Sequence, residues 1–180
     1  MRAFPNLSTL ALDQYALGDI PDLIFNLPRL TSLTLTQSRL RLSPRARAKL
    51  RDLRNLEYLD LSDNPLGGAP ELDNMPRLEC LYLQNCGLSE VPFGLFDRPY
   101  LRTVDLSDNL ITQVPDDILS MRQPWDDESD LSGNPLSEGS LDHLRQYFRQ
   151  TGNDLQVDAA GLNAQGAPLT PPSTPEPMEE

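Results

Sequence analysis

Histidine and cysteine are almost missing from this chain: one His, His143, and two Cys, Cys80 and Cys86, in 180 residues. Two cysteines are too few for a disulfide framework, and so leave open a reduced compartment or an indifferent one. Six residues apart, they do not have metal-ligand spacing. No base neighbours Cys80 to lower its pKa, and His143 has no Ser or Cys in range by sequence. Carboxylates are plentiful, but no pair has surroundings that would separate their pKa values. There is no phosphate-binding loop and no Gly-rich dinucleotide turn. The expectation is a non-catalytic chain with no metal and no cofactor. Lysine is missing too, apart from Lys49, and the formal charge is −12. That balance excludes a nucleic-acid binder, which needs clustered bases for phosphate contacts. No apolar run reaches the ~18 residues of a membrane helix. The start, Met1-Arg-Ala-Phe-Pro, lacks the apolar stretch of a secretory signal. The compartment stays open between the cytoplasm and export without a cleaved signal.

What the chain has in excess is leucine at fixed intervals. Leu30 to Leu35, Leu56 to Leu61, Leu78 to Leu83 and Leu101 to Leu106 repeat one phrase, and Leu7 to Leu12 is a weaker copy. The phrases begin at 7, 30, 56, 78 and 101, a period of 22 to 26 residues. A fixed period of this size marks a stacked array. In LxxLxLxxNxL the leucines face inward and alternate residues of the short strand face outward. Leu59 and Leu61 are thus interior, while Tyr58, Asp60 and Ser62 face out. Asn64, Asn109 and Asn134 hold the ninth position, where an amide can satisfy backbone groups at the bend. Cys86 substitutes there. Ser38 and Tyr15 hold the same position earlier, which predicts looser turns.

Prolines bracket the return legs: Pro21, Pro44, Pro70, Pro92 and Pro115 after each turn, and Pro28, Pro76, Pro99 and Pro124 before the next strand. Because Pro cannot continue a helix interior, those legs should be short turns or extended chain. The exception is 43–54, where Ser43-Pro44 reads as N-cap and N1 and a true helix should follow. The sixth repeat is degenerate: Asp126 and Ser129 occupy leucine positions, and Trp125 is expected to swing in as a lid. The chain divides into 1–136, about six repeats; 137–152, a capping helix; and 153–180, an acidic Pro-rich tail with the composition of disorder. The N-terminus shows no comparable cap, so either the chain is a fragment or something covers the open edge.

Charge is segregated. Residues 1–56 hold nine bases and four acids, and 57–152 hold six bases and eighteen acids. The bases gather in Arg39, Arg41, Arg45, Arg47, Lys49, Arg51 and Arg54, a run that could grip an anionic surface or simply be a solvated convex helix. On the inner face, Tyr58, Asp60, Asp63, Tyr82, Asn85, Arg102, Asp105, Asp108 and Asp130 are the candidate partner-binding residues. Asp60, Tyr82, Asp105 and Asp130 form one column, and a basic partner would relieve its repulsion and associate by steering. Tyrosines are frequent interface anchors.

The chain is identified as a member of the leucine-rich repeat class. This implies an α/β right-handed solenoid, a horseshoe arc with parallel strands on the concave face and short helices or turns on the convex face. Asp130 to Ser137, then Leu141, Leu144, Tyr147 and Thr151-Gly152, resembles the segment closing the repeats of bacterial effectors with a novel E3 ubiquitin ligase (NEL) domain. Cys86-Gly-Leu, Val91-Pro92 and Gly94-Leu-Phe96 add to that likeness. The resemblance implies repeats that select a substrate for a following helical domain with a Cys-x-Asp motif. Cys80 is followed by Leu-Tyr and Cys86 by Gly-Leu, so no catalytic residue carries over. The expected function is a monomeric protein-binding module for a partner with a basic surface. The alternatives are the recognition part of a truncated or split NEL-type ligase and an anionic-surface binder through Arg39–Arg54.

Overall fold

A computed structural model describes residues 4–157. Each phrase becomes one short strand: β1 (Thr9–Asp13), β2 (Ser32–Thr36), β3 (Tyr58–Asp60), β4 (Cys80–Tyr82) and β5 (Thr103–Asp105). They form a single sheet in chain order, every pair parallel. A parallel pair cannot be joined by a tight hairpin, so each repeat must travel out and back before pairing again. The leucines set the register: Leu10 pairs with Leu33, Leu33 with Leu59, Leu59 with Leu81 and Leu81 with Val104. Leu33, Leu59, Leu81 and Val104 are all 0% exposed, as are Leu35, Leu61, Leu83 and Leu106. Burying one such side chain contributes roughly 1.5–3 kcal/mol. In a stack each gain depends on the neighbouring repeat. Leu7, Leu10, Leu12 and Leu17, with a neighbour on one side only, are just half-buried.

The strand ends where the ninth residue turns inward. Asn109 is 3% exposed. Its Oδ1 accepts from the Cys86 and Leu88 N–H groups, and its Nδ2 donates to the Leu83, Leu106 and Ser107 carbonyls. Asn64 repeats this toward Ser38, Leu40, Leu35, Leu61 and Ser62. Cys86 donates as that amide does, its Sγ 3.2 Å from the Leu61 carbonyl. The second turn is tighter than its Ser predicts. Ser38 is 0% exposed, donates to the Thr36 carbonyl and is gripped from the next repeat by Asn64. Tyr15, 58% exposed, makes no such tie.

Ser62 reverses the outward expectation, and Ser107 behaves as it does. They are 9% and 3% exposed, because the backbone leaves the strand geometry at the residue after the last inward leucine. The next residue takes a left-handed turn: Asp63 has φ 58, Asn85 φ 51 and Asp108 φ 54. Short polar residues tolerate that region better than most.

The outer legs follow the prolines. Single 3-10 turns cover Ile24–Asn26, Leu95–Asp97 and Asp116–Ser120. Helix α1 spans Pro44–Leu50, its first turn held by Ser43 Oγ accepting from the Ala46 N–H. Helix α2 (Glu138–Thr151) closes the far end, N-capped by Ser137 and stopped by Gly152 at φ 79. Its Leu141, Leu144 and Tyr147 face the core, and the Tyr147 hydroxyl accepts from the Trp125 N–H. Trp125 is 4% exposed and stacks on Phe96 at 5.7 Å. Ser129, standing where a leucine stood in other repeats, is buried by serving the backbone: its Oγ accepts from the Val104 N–H and donates to the Arg102 carbonyl.

The tail boundary at 153 needs correction. Asn153, Leu155 and Val157 are buried. Asn153 donates to the Trp125 and Asp126 carbonyls, and the Leu155 carbonyl accepts from the Leu131 N–H. That last bond continues the ladder of the strands below, so 153–157 is a partial further rung. The rest of the proposed tail, 158–180, lies outside the described residues. Among the described residues no helix is long and apolar enough to cross a membrane.

Candidate functional site

Two rows of side chains cross the open face of the sheet. One runs Thr34, Asp60, Tyr82, Asp105, Asp130. The other runs Ser32, Tyr58, Cys80, Thr103. Neighbouring strands lie about 4.8 Å apart. Asp105 and Asp130 are therefore adjacent, and Asp60 is separated from Asp105 by the width of Tyr82. The column read from the sequence is thus assembled by strand pairing.

Each column aspartate is oriented by its own turn. Asp60 Oδ1 accepts from the Ser62 N–H at 3.0 Å and Asp130 Oδ1 from the Ser132 N–H at 2.7 Å. Asp105 Oδ1 accepts from both the Ser107 N–H and its hydroxyl, at 2.9 and 2.6 Å. One oxygen of each carboxylate is committed to the fold by these bonds. Burial holds the Asp105 carboxyl above the ordinary carboxylate value; the Ser107 bonds oppose this, and the charges of Asp130 and Asp108 add to it. Charge is therefore costly here, and a cation brought to Asp105 would offset the cost.

Tyr58 and Tyr82 touch, ring centroids 5.3 Å apart and tilted by 38°. Burial pushes the Tyr82 hydroxyl up to about 12, with Cys80, Tyr58, Glu128 and Asp126 adding to the shift. Tyr58 is raised as well, by burial first and Asp60 second. Both phenols stay protonated near neutrality and offer an O–H donor beside an apolar ring.

The remaining candidates divide. Asp63, Asn85 and Asp108 are exposed and sit on the rim where the strands end, not on the strands. Asn85 Nδ2 donates to Asp63 Oδ1 at 2.9 Å, and Gln84 Nε2 reaches Asp108 Oδ2 at 3.4 Å. Arg102 flanks β5 and pairs with Glu79 at 3.1 Å. The nine candidates therefore form one surface with two levels, a floor of Tyr and Asp and a rim of turn residues.

Sequence reading passed over Asp126 and Thr103. Thr103 is 3% exposed, and its Oγ1 donates to Asp126 Oδ2. This ties the face to the degenerate sixth repeat. The signal available was Asp126 at a leucine position, a substitution that needs a polar reason. Cys80 lies half-buried between Tyr58 and Thr103; burial raises its thiol against the lowering effect of Thr103 and of the Arg102 charge, a neighbouring base that the sequence did not reveal. Cys86 is pushed up to about 12, again chiefly by burial. Among the described residues no three His, Cys, Asp or Glu side chains gather as a metal site.

The basic run also resolves. Arg45 and Lys49 pair with Asp22, at 3.0 and 3.1 Å, and Arg51 reaches Glu71 and Asp73. Three of its seven bases are thus matched by carboxylates on adjoining repeats.

The face belongs to a known architecture. The family description for leucine-rich repeats in two copies matches residues 54–95, and that for a single leucine-rich repeat matches 100–121. The leucine-rich repeat-containing G-protein coupled receptor 5 of Rattus norvegicus is 31% identical over 153 residues, 83% of this chain and 16% of the receptor. A leucine-rich repeat protein of Leptospira interrogans superposes with a TM-score of 0.65 at 20% identity, over 83% of this chain and 43% of that one. The crystal structure of PEPR1-AtPEP1 gives 0.61 at 28% identity, over 75% of this chain and 19% of that one. This chain is a leucine-rich repeat protein with the solenoid fold of that class. It spans less than a fifth of the length of the receptor it matches.

Proposed function

We propose that this chain binds another protein on the strand face of the solenoid. The partner presents a basic surface to Asp60, Asp105 and Asp130, with Tyr58 and Tyr82 as the apolar anchor between them. Asp63, Asn85, Asp108 and Arg102 border the contact. The observation that carries this reading is the registered row Asp60–Tyr82–Asp105–Asp130, with its ring contact to Tyr58. It places desolvated negative charge around an aromatic pair, on the face of the array that has no covering element among the described residues. Protein binding is also the role typical of leucine-rich repeats, and the family and fold matches support it. The chain acts as a monomer in this role, since the open face faces away from the stacking direction.

The test uses the full chain as bait beside its Asp60→Ala/Asp105→Ala variant. A partner retained by the first and not the second is then titrated against both. The expected loss is roughly tenfold or more, about 1.4 kcal/mol, shrinking as salt rises. Equal affinity of the two chains would sink the reading.

A second reading makes the chain the recognition part of a NEL-type ubiquitin ligase. It is supported by the likeness of 130–152 to the closing segment of those proteins. Sequencing the coding region immediately beyond Glu180 tests it: a helical domain with a Cys-x-Asp motif supports it, and an unrelated gene removes it.

A further inference from the structure

Strand β1 stands at the end of the sheet and pairs only with β2 among the described residues. Its bonds to β2 run through alternate residues: the Ser8 carbonyl accepts from the Ser32 N–H, and the Gln14 N–H donates to the Thr36 carbonyl. Successive residues of a strand aim their backbone groups to opposite sides. The N–H and C=O groups of Thr9, Ala11 and Asp13 therefore point away from the sheet. The leucines of the same coil, Leu7, Leu10, Leu12 and Leu17, are only half-buried. Sheet edges are normally protected by lysine, proline or a bulge. The strand Thr9-Leu-Ala-Leu-Asp13 has none of these, and its one charge is Asp13 at the end.

The far end of the array offers this edge no mate. Helix α2 closes that end, and the Leu155 carbonyl there already accepts from the Leu131 N–H. With head-to-tail stacking blocked, the pairing left is isologous, the edge against itself. The strand is self-complementary in that arrangement. When β1 lies antiparallel to a second β1 with the two-fold axis at Ala11, Ala11 faces its own copy, and Thr9 faces Asp13 on either side. Residues opposed in this way exchange both backbone bonds, with Cα atoms about 5.5 Å apart. Every outward N–H and C=O of the strand is then used. Ala11, the smallest side chain of the strand, stands where the two copies come nearest. Leu10 meets Leu12 on the core side, and exposed Thr9 meets exposed Asp13 on the other. That Thr–Asp pair already exists within the sheet: Thr36, opposite Asp13 on β2, donates its hydroxyl to Asp13 Oδ1 at 2.8 Å. The two Asp13 carboxylates stand at opposite ends of the paired strands, roughly 13 Å apart. That exceeds the screening length of about 8 Å at physiological salt.

We propose that two copies of this chain pair edge to edge through β1, antiparallel and centred on Ala11, into one continuous sheet. The axis is perpendicular to the sheet, so both strand faces open to the same side. Each copy still meets its own partner there, and the pairing does not rest on that reading.

The test is sedimentation equilibrium of the 180-residue chain over a concentration series. The mass should rise reversibly from that of one chain to that of two. Ala11→Lys sets two ammonium groups across the axis and should weaken association roughly tenfold or more. Its own fold is kept, because Ala11 is exposed. Thr9→Arg faces Asp13 of the second copy and should tighten association roughly threefold or more at low salt. The register is read by cross-linking in a Cys80→Ser background, with the enclosed Cys86 left in place. Ala11→Cys should be trapped as a disulfide-linked dimer by air oxidation, since about 5.5 Å between Cα atoms is within disulfide range. Thr9→Cys, roughly 13 Å from its own copy, should not. A one-chain mass at every concentration, association unmoved by Ala11→Lys or weakened by Thr9→Arg, or equal trapping of Ala11→Cys and Thr9→Cys would each overturn the pairing.

Discussion

Replacing Asn109 by Ala tests whether the turn ladder, more than the leucines alone, holds the array together. The side chain makes five hydrogen bonds, two accepted and three donated, to backbone groups of three successive segments. Alanine leaves the Cys86 and Leu88 N–H groups without that acceptor. Their repeat is sealed on both sides, so water cannot enter without opening the stack. A buried group left unsatisfied costs about 1–3 kcal/mol. The Leu83, Leu106 and Ser107 carbonyls are less demanding, since a carbonyl tolerates partial satisfaction. Counting the two N–H groups in full and the carbonyls little, the loss should be about 3 kcal/mol. That is a large share of the 5–15 kcal/mol typical of a domain. For a chain of this size it lowers Tm by roughly 6–12 °C. Asn109→Asp isolates the two halves. It keeps the acceptor and places a carboxylate against three carbonyls, so it should be at least as damaging near neutrality and recover in part in acid. Thermal and urea unfolding followed by circular dichroism read both variants. If Asn109→Ala costs under about 0.5 kcal/mol, or Asn109→Asp matches the parent at neutral pH, the ladder is not a principal source of stability.

Cys86→Asn should run the other way. The new Oδ1 can accept from the Asn64 and Leu66 N–H groups, as Asn109 does one repeat on, and a net gain of about 0.5–1.5 kcal/mol in urea unfolding is expected; a loss would mean the thiol is shaped into its site. Asp105→Asn tests the electrostatics of the face. The folded pKa of Asp105 is raised, so its charged form disfavours folding; the penalty is absent below the unfolded value and appears as pH rises through the folded one. The variant keeps the acceptor for Ser107, so its Tm should exceed the parent's at neutral pH and converge with it in acid, and a gain that persists in acid would locate the effect in packing instead.

The leucine period made most of the fold legible before any coordinates. Leu59 and Leu106 are interior and Asp60 and Asp105 are not, because period-two alternation in a strand of fixed length leaves no other register. The prolines likewise announced short outer turns, and Ser43-Pro44 announced α1. The face was legible as a column of types, though not as a chemistry. That one oxygen of each aspartate is spent on its own turn depends on the bend after Leu61 and Leu106, the same bend that turns Ser62 and Ser107 inward. Asp63, Asn85 and Asp108 moved to the rim for this reason. The composition of 153–180 hid Asn153, Leu155 and Val157, three residues among many polar ones that close the last rung.

The sequence by itself determined the repeat, its inward leucines and the placing of acid on one side of a stacked sheet, since those follow from spacing alone. Only the tertiary structure decided which charges are already matched. Asp22 reaches Arg45 and Lys49, and Glu71 reaches Arg51, across one turn of the solenoid and twenty or more positions of chain. Stacking sets which side chains meet between repeats, and no local pattern encodes it.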